Sequence, residues 1–320
     1  MRSVLLKKGL MIVNLGTPDE ANPKKVREFL AYFLSDSRVI KMPKLFWKMI
    51  LHAIILRVRP KKSAELYKKI WTKDGSPLLE YTKAQAKYIQ QQLPDVQVEY
   101  AMSYSTPFIN DVLDSFIENE TEFLTIVPLY PQYSGTTVGS IFDTVAQYFL
   151  KSDKIVNFTF FRSYYSHPIY INYYVKKIKA AIAESPVDGI LFSYHGIPER
   201  YEKDGDNYRM ECQKTTDLIV EQLPELATYL SFQSKFGPGK WLQPATSDCL
   251  QALPSEGVKR ILVVAPGFVV DCLETIEELG DENRHYFLNA GGVEYRYLAP
   301  FNADKELGDL IIDLYTNPTK

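Results

Sequence analysis

Short apolar runs alternate along this chain with longer stretches in which apolar positions recur every three or four residues. The runs at 9–15, 96–102, 123–128, 155–161, 190–195, 230–233, 261–264 and 295–298 predict strands. The run 261–264 is uninterrupted, as in a buried parallel strand. Between the runs, helical spacing predicts helices over 77–93, 170–183, 210–223 and 304–315. The first helix has its own start signal. Asn22 and Pro23 suit an N-cap and first helical position, and Val26, Phe29, Leu30 and Phe33 follow on one face. The cluster from Asp74 to Pro77 is a turn, and the charged stretch 201–207 is expected as a loop.

Strand and helix alternate through both halves, with a break near 150–165. A chain of 320 residues is long enough for two domains. The expected architecture is α/β: two Rossmann-like doubly wound domains, each around a parallel sheet, facing a cleft. The expected boundaries are 1–160, 161–302, and a closing helix over 303–320 that crosses back to the first domain. The opening strand–Gly16–helix unit lacks the G-x-G-x-x-G pattern, so no dinucleotide is indicated.

Residues 40–62 break the pattern. Met42, Leu45, Phe46, Met49, Ile50, Ile54, Ile55 and Leu56 are interleaved with seven Lys and Arg residues, Lys41, Lys44, Lys48, Arg57, Arg59, Lys61 and Lys62. Such a stretch lies on a membrane surface, forms a greasy lip over an apolar ligand, or packs as an ordinary helix. Composition narrows the rest. The net charge of −2 gives no case for a nucleic-acid partner. The three cysteines, Cys212, Cys249 and Cys272, fit no zinc or cluster spacing and point to a reducing cytoplasm. The apolar stretch at the N-terminus is too short for a signal peptide, and no run is long enough for a membrane span.

Two strand ends carry chemistry. After the strand 261–264, Pro266 and Gly267 break the run, and Asp271, Glu274 and Glu278 follow at i, i+3 and i+7, one face of a helix. Carboxylates at the carboxyl edge of an open sheet sit where such sheets bind ligands, although acids in a first helical turn also complement the helix dipole. The second strand, 190–195, ends at His195, one of four histidines, just before Gly196 and Pro198. An imidazole facing carboxylates suits a divalent transition metal or proton transfer near neutral pH. Trp241, in a glycine-rich loop beyond a strand, is a candidate pocket wall, and the hydroxyl- and aromatic-rich loop 129–140 suits a flat ligand with polar edges.

Six stretches in the same order resemble the ferrochelatases. They are 14–18 (NLGTP), 75–78 (GSPL), 128–134 (PLYPQYS), 193–198 (SYHGIP), 232–234 with 241–242 (FQS, WL), and 266–274 (PGFVVDCLE). The resemblance spans nearly the whole chain. It implies insertion of ferrous iron into a porphyrin, protoporphyrin IX or coproporphyrin III, and two Rossmann-like domains around a porphyrin cleft. It places the catalytic histidine on His195 and the essential glutamate on Glu274, both also metal contacts. Asp271 and Glu278 become an outer acidic path. Leu15, Arg38, Ser76, Tyr104, Tyr133, Trp241 and Phe268 become porphyrin contacts, and 40–62 becomes a lip with peripheral membrane contact.

There are departures. Some relatives hold an iron–sulfur cluster through cysteines near the C-terminus, but nothing after Cys272 is cysteine, so no cluster and no tightly bound cofactor is expected. Where some relatives offer a metal-contacting tyrosine this chain has Leu15, and where others have arginine it has Ser103. Propionate recognition then falls elsewhere, with Arg38 and Ser76 as candidates. The motifs look most like the cluster-free protoporphyrin type, and coproporphyrin enzymes carry similar ones. A chelatase for another metal and tetrapyrrole, or a non-catalytic tetrapyrrole carrier, are the other readings.

Overall fold

A computed structural model describes residues 6–235 and 239–318. The loop 234–241 expected from the sequence therefore includes three positions, 236–238, that lie outside the described residues, as do 1–5 and 319–320 at the ends.

The chain forms two compact units. The first comprises 1–130, 134–163 and 303–320. Its elements are β1 (Lys8–Asn14), α1 (Pro23–Ser35), α2 (Lys44–Ile50), a π-helical turn (Leu51–Ile55), α3 (Leu56–Ile70), α4 (Pro77–Gln92), β2 (Val96–Met102), α5 (Ile109–Glu118), β3 (Phe123–Pro128), α6 (Val138–Lys151) and β4 (Asn157–Phe160). The second comprises 131–133 and 164–302. It contains α7 (Pro168–Glu184), β5 (Gly189–His195), α8 (Glu199–Lys203), α9 (Tyr208–Val220), β6 (Ala227–Gln233), α10 (Thr246–Ala252), a 3-10 turn (Leu253–Glu256), β7 (Arg260–Val264), a π-helix (Glu274–Glu282), α11 (Asn283–Asn289) and β8 (Glu294–Leu298). The chain then returns to the first unit with α12 (Lys305–Thr316).

Each unit holds a four-stranded sheet, ordered β2-β1-β3-β4 and β6-β5-β7-β8, and every pairing is parallel. The two units thus repeat one topology. Their central strands are buried on both faces, which explains the continuous apolar runs of β1, β5 and β7. In the first unit Met11, Val13, Leu113, Phe116 and Ile126 form one core layer, and in the second Leu191, Ile261, Val263, Leu279 and Phe287 form its counterpart. Each such side chain contributes roughly 1.5–3 kcal/mol on burial.

Local signals set the helices. The Asn22 side chain accepts the Lys25 N–H at 2.9 Å and Pro23 opens α1, so the predicted cap and first position are those observed. The closing helix packs on α4. A Cβ on Gly308 would come within 2.3 Å of the Tyr88 ring, so glycine lets the two helices approach. The stretch 201–207, expected as a loop, instead begins inside α8, whose turn Glu199–Lys203 precedes the true loop.

The segment 40–62 is helical from Lys44 onward and apolar on two sides. Leu51, Leu56 and Pro60 are buried, whereas Leu45 (78% exposed), Phe46, Met49, Ile54 and Val58 face solvent, with Lys41, Lys44, Lys48, Arg57, Lys61 and Lys62 exposed among them. Packing within the unit accounts for one face only. Among the described residues no helix is long and apolar enough to cross a membrane.

Candidate active site at the carboxyl edge of the second sheet

His195 is the last residue of β5, half-buried, with its partner Gln233 ending β6 in register. Its Nδ1 lies 2.8 Å from the Gly196 carbonyl oxygen. A carbonyl only accepts, so Nδ1 carries a proton, and in the neutral ring Nε2 then keeps the lone pair for a proton or a metal. Gly196 must be glycine, since a Cβ there would stand 2.8 Å from the Gln233 carbonyl oxygen and 3.3 Å from the Trp241 ring. Trp241 is held against this strand end by bridging Pro198, with Glu199 N–H bonded to Lys240 O at 3.0 Å and Leu242 N–H to Ile197 O at 3.0 Å. On another side the Phe268 ring lies 6.4 Å from the imidazole, tilted by 52°. The strand end thus carries an imidazole with the Phe268 ring near it and the Trp241 ring packed against Gly196.

Glu274 and Glu278 come from the π-helix that follows β7. Sequence spacing predicted one α-helical face for Asp271, Glu274 and Glu278. The structure separates them: Asp271 precedes the helix, and the helix has the i→i+5 bonding found frequently at functional sites. Asp271 is 7% exposed. Its carboxylate accepts from Thr275 Oγ1 (2.7 Å), Asn302 Nδ2 (2.6 Å) and Tyr297 OH (3.2 Å), and its N–H donates to Asn302 Oδ1 (2.7 Å). Those bonds tie Asp271 to the turn before the helix.

Glu278 accepts the Ser234 N–H at 2.8 Å and also the Ser234 hydroxyl. Burial pushes its carboxyl above the ordinary carboxylate range. The two Ser234 donors and the His195 imidazole pull it back, and the Glu274 carboxylate pushes it further up. Glu278 therefore lies within the electrostatic reach of both His195 and Glu274. Ser234 reaches it from a left-handed backbone conformation (φ 63°), uncommon for a residue with a Cβ. Gln233, one residue earlier, donates from Nε2 to the Glu274 carbonyl at 3.1 Å and accepts from Ser193 Oγ at 2.8 Å. Sequence reasoning assigned Gln233 and Ser234 no role. The signals were their place at the end of a strand and within the stretch 232–234 that resembles the ferrochelatases.

Tyr133 belongs to the same unit, where its N–H donates to the buried Glu211 carboxylate at 2.7 Å. The other expected porphyrin contacts lie in the first unit. Leu15, just after β1, accepts the Tyr104 N–H at 3.1 Å through its carbonyl. The buried Ser76 hydroxyl accepts from Thr17 Oγ1 at 2.9 Å. Tyr104 OH donates to Asp36 at 2.8 Å, and burial beside that carboxylate holds its hydroxyl well above the usual phenol range. Arg38 pairs in a fork with Asp143, at 2.5 and 2.7 Å. All four are engaged within the fold, Arg38 by another carboxylate.

Comparison with known proteins decides the family. The ferrochelatase family model matches residues 7–318. The chain is 56% identical to the coproporphyrin III ferrochelatase of Enterococcus faecalis, over 96% of this chain and 98% of that one. It is 42% identical to the ferrochelatase of Idiomarina loihiensis, over 97% and 88%. The chain belongs to the ferrochelatase family. Ferrochelatases insert iron into a porphyrin in haem biosynthesis, a lyase reaction, and that is the activity of this chain. Among solved structures, the chain shares its fold with SirB from Bacillus subtilis with Fe3+ (TM-score 0.57, 10% identity, 97% and 95% covered). It also shares it with CbiX, the terminal enzyme for biosynthesis of siroheme in denitrifying bacteria (TM-score 0.55, 12% identity, 98% and 100% covered).

Proposed function

We propose that this ferrochelatase metallates coproporphyrin III, with His195 and Glu274 as the reacting pair. The single observation favouring coproporphyrin III is the 56% identity, over almost the full length of both chains, to a relative named for that substrate, against 42% to one named only ferrochelatase. The sequence motifs alone lean toward protoporphyrin IX, and the coproporphyrin III reading is supported by the full-length similarity.

The chemistry follows from the second sheet edge. Ferrous iron enters a ring whose centre carries two N–H groups, and two protons leave. The Nε2 lone pair of His195 serves one partner at a time, contacting the iron or accepting a proton from the ring. Glu274 is a metal ligand and passes the proton on, and imidazole with carboxylate suits ferrous iron while leaving exchangeable positions. Glu278, held by Ser234, lies further along the same helix as the outer acid. Trp241 and Phe268 grip the macrocycle face and hold it bent, so that a nitrogen lone pair points at the iron. The protein works without a resident cofactor or iron–sulfur cluster, in the cytoplasm, and the exposed apolar and basic residues of 40–62 form a lip that touches the membrane surface peripherally.

Anaerobic metallation tests the substrate. Ferrous iron is mixed with protein and either coproporphyrin III or protoporphyrin IX, and free-porphyrin absorbance is followed. Rapid loss with coproporphyrin III and slow loss with protoporphyrin IX is expected. The reverse order of rates would overturn the assignment.

A further inference from the structure

We infer that Gln233 is a positioning residue for metal insertion, a brace that fixes the distance between the strand end carrying His195 and the helix start carrying Glu274. The inference rests on the assignment of those two residues as the reacting pair.

The two groups sit on separate elements, the end of β5 and the first residue of the π-helix. Gln233 bonds to both. Its register partner across β5–β6 is His195, and its main-chain oxygen accepts the Gly196 N–H at 2.7 Å. Its side chain donates to the Glu274 carbonyl at 3.1 Å. The amide orientation is determined chemically. The Glu274 carbonyl only accepts, so Nε2 must face it, and Oε1 then accepts from Ser193 Oγ. Behind Ser193, a buried hydroxyl relay runs to Thr246 Oγ1 (2.8 Å) and on to Ser231 Oγ (2.9 Å). Gln233 is 3% exposed, so its amide has no solvent to exchange these partners for. The next residue extends the brace, because Ser234 donates its N–H to Glu278 one helical turn beyond Glu274. Two consecutive residues thus hold the acidic helix, one at the Glu274 main chain and the other at the Glu278 side chain.

A brace of this kind acts on the transition state. Proton removal and metal entry both need His195 and Glu274 at fixed places around the ring, and a misplacement of about 1 Å costs roughly a hundredfold in rate. Partners behind metal-contacting residues are typically worth about 10–100-fold. Porphyrin grip through Trp241 and Phe268 uses other bonds and should survive loss of the amide.

The test compares full-length Gln233→Leu, Gln233→Met, Thr246→Val and His195→Ala with the wild type in anaerobic iron insertion, alongside porphyrin binding by absorbance titration. Gln233→Met keeps side-chain length and packing, so it reports even if the leucine variant folds poorly. Thr246→Val breaks the same relay without touching the helix. Both Gln233 variants should lose roughly 10–100-fold in kcat with porphyrin KM within about twofold, the signature of an interaction made in the transition state. Thr246→Val should stay within about threefold of the wild type in kcat. Wild-type kcat in the Gln233 variants, or an equal loss in Thr246→Val, overturns the inference. Wild-type insertion by His195→Ala would instead bring down the assignment of the reacting pair, and the brace with it.

Discussion

The two sheets share one strand order, and their first strands end in the same place but not with the same chemistry. In the first unit β1 ends at Asn14, a buried amide that donates to Thr82 Oγ1 at 3.0 Å and accepts the Leu15 N–H at 2.8 Å. In the second unit β5 ends at His195, half-buried, with Nδ1 anchored on a carbonyl and Nε2 left with its lone pair. The third strand of each sheet diverges likewise. After β3 comes a hydroxyl-rich turn into an ordinary α-helix, and after β7 a π-helix carrying Glu274 and Glu278. One topology therefore ends in a buried amide in one copy and, in the other, in an imidazole followed by an acidic helix. Function resides in which side chain terminates the strand and what the next helix presents, and the sheet itself is neutral on the matter.

Substitutions at matching positions sharpen this contrast. The largest effect is expected at Glu274. Glu274→Gln keeps the shape, removes the charge and should lower the insertion rate by about 10²–10⁴, with porphyrin binding measured by titration nearly unchanged. Near-wild-type turnover would show that the second edge is scaffold as well. Asn14→Ala should do the opposite. It strands the Thr82 hydroxyl and the Leu15 N–H, so denaturant unfolding should register a loss of about 1–3 kcal/mol while kcat of the folded protein holds.

A subtler effect is expected at Glu278. Burial raises its carboxyl pKa in the folded protein, so its contribution to stability is present at acid pH and is lost as pH rises through the folded value. Glu278→Gln should therefore raise the melting temperature at neutral pH, with the gain vanishing below the ordinary carboxylate range, and should slow insertion. A gain that grows toward acid pH would contradict the burial account. The smallest effect on catalysis is expected at the lip. Replacing Leu45, Phe46 and Met49 by serine should reduce co-sedimentation with anionic vesicles and leave kcat with coproporphyrin III in solution unaltered.

The contrast also marks how far the sequence could be read. Central strands were legible because burial on both faces leaves continuous apolar runs, and β5 ends at His195 as predicted. Edge strands were less so. β6 starts at Ala227, three residues before the predicted 230, because its exposed and half-buried outer residues dilute the apolar signal. The π-helix was not legible, since acid spacing alone does not distinguish i→i+4 from i→i+5 bonding. Partners distant in sequence were invisible. Nothing near Arg38 in sequence announced Asp143, 105 positions away, which forks with it, and nothing near Asp271 announced Tyr297 and Asn302, which donate to its carboxylate. Gln233 was hidden for the same reason, its role depending on the Glu274 carbonyl 41 positions on.

The central claim is that the reactive edge belongs to the second unit and turns on His195. It is tested most directly by single-turnover anaerobic iron insertion with His195→Ala and prebound porphyrin. The account predicts that the porphyrin binds with near-wild-type affinity and stays unmetallated. Insertion at the wild-type rate in that variant would contradict it.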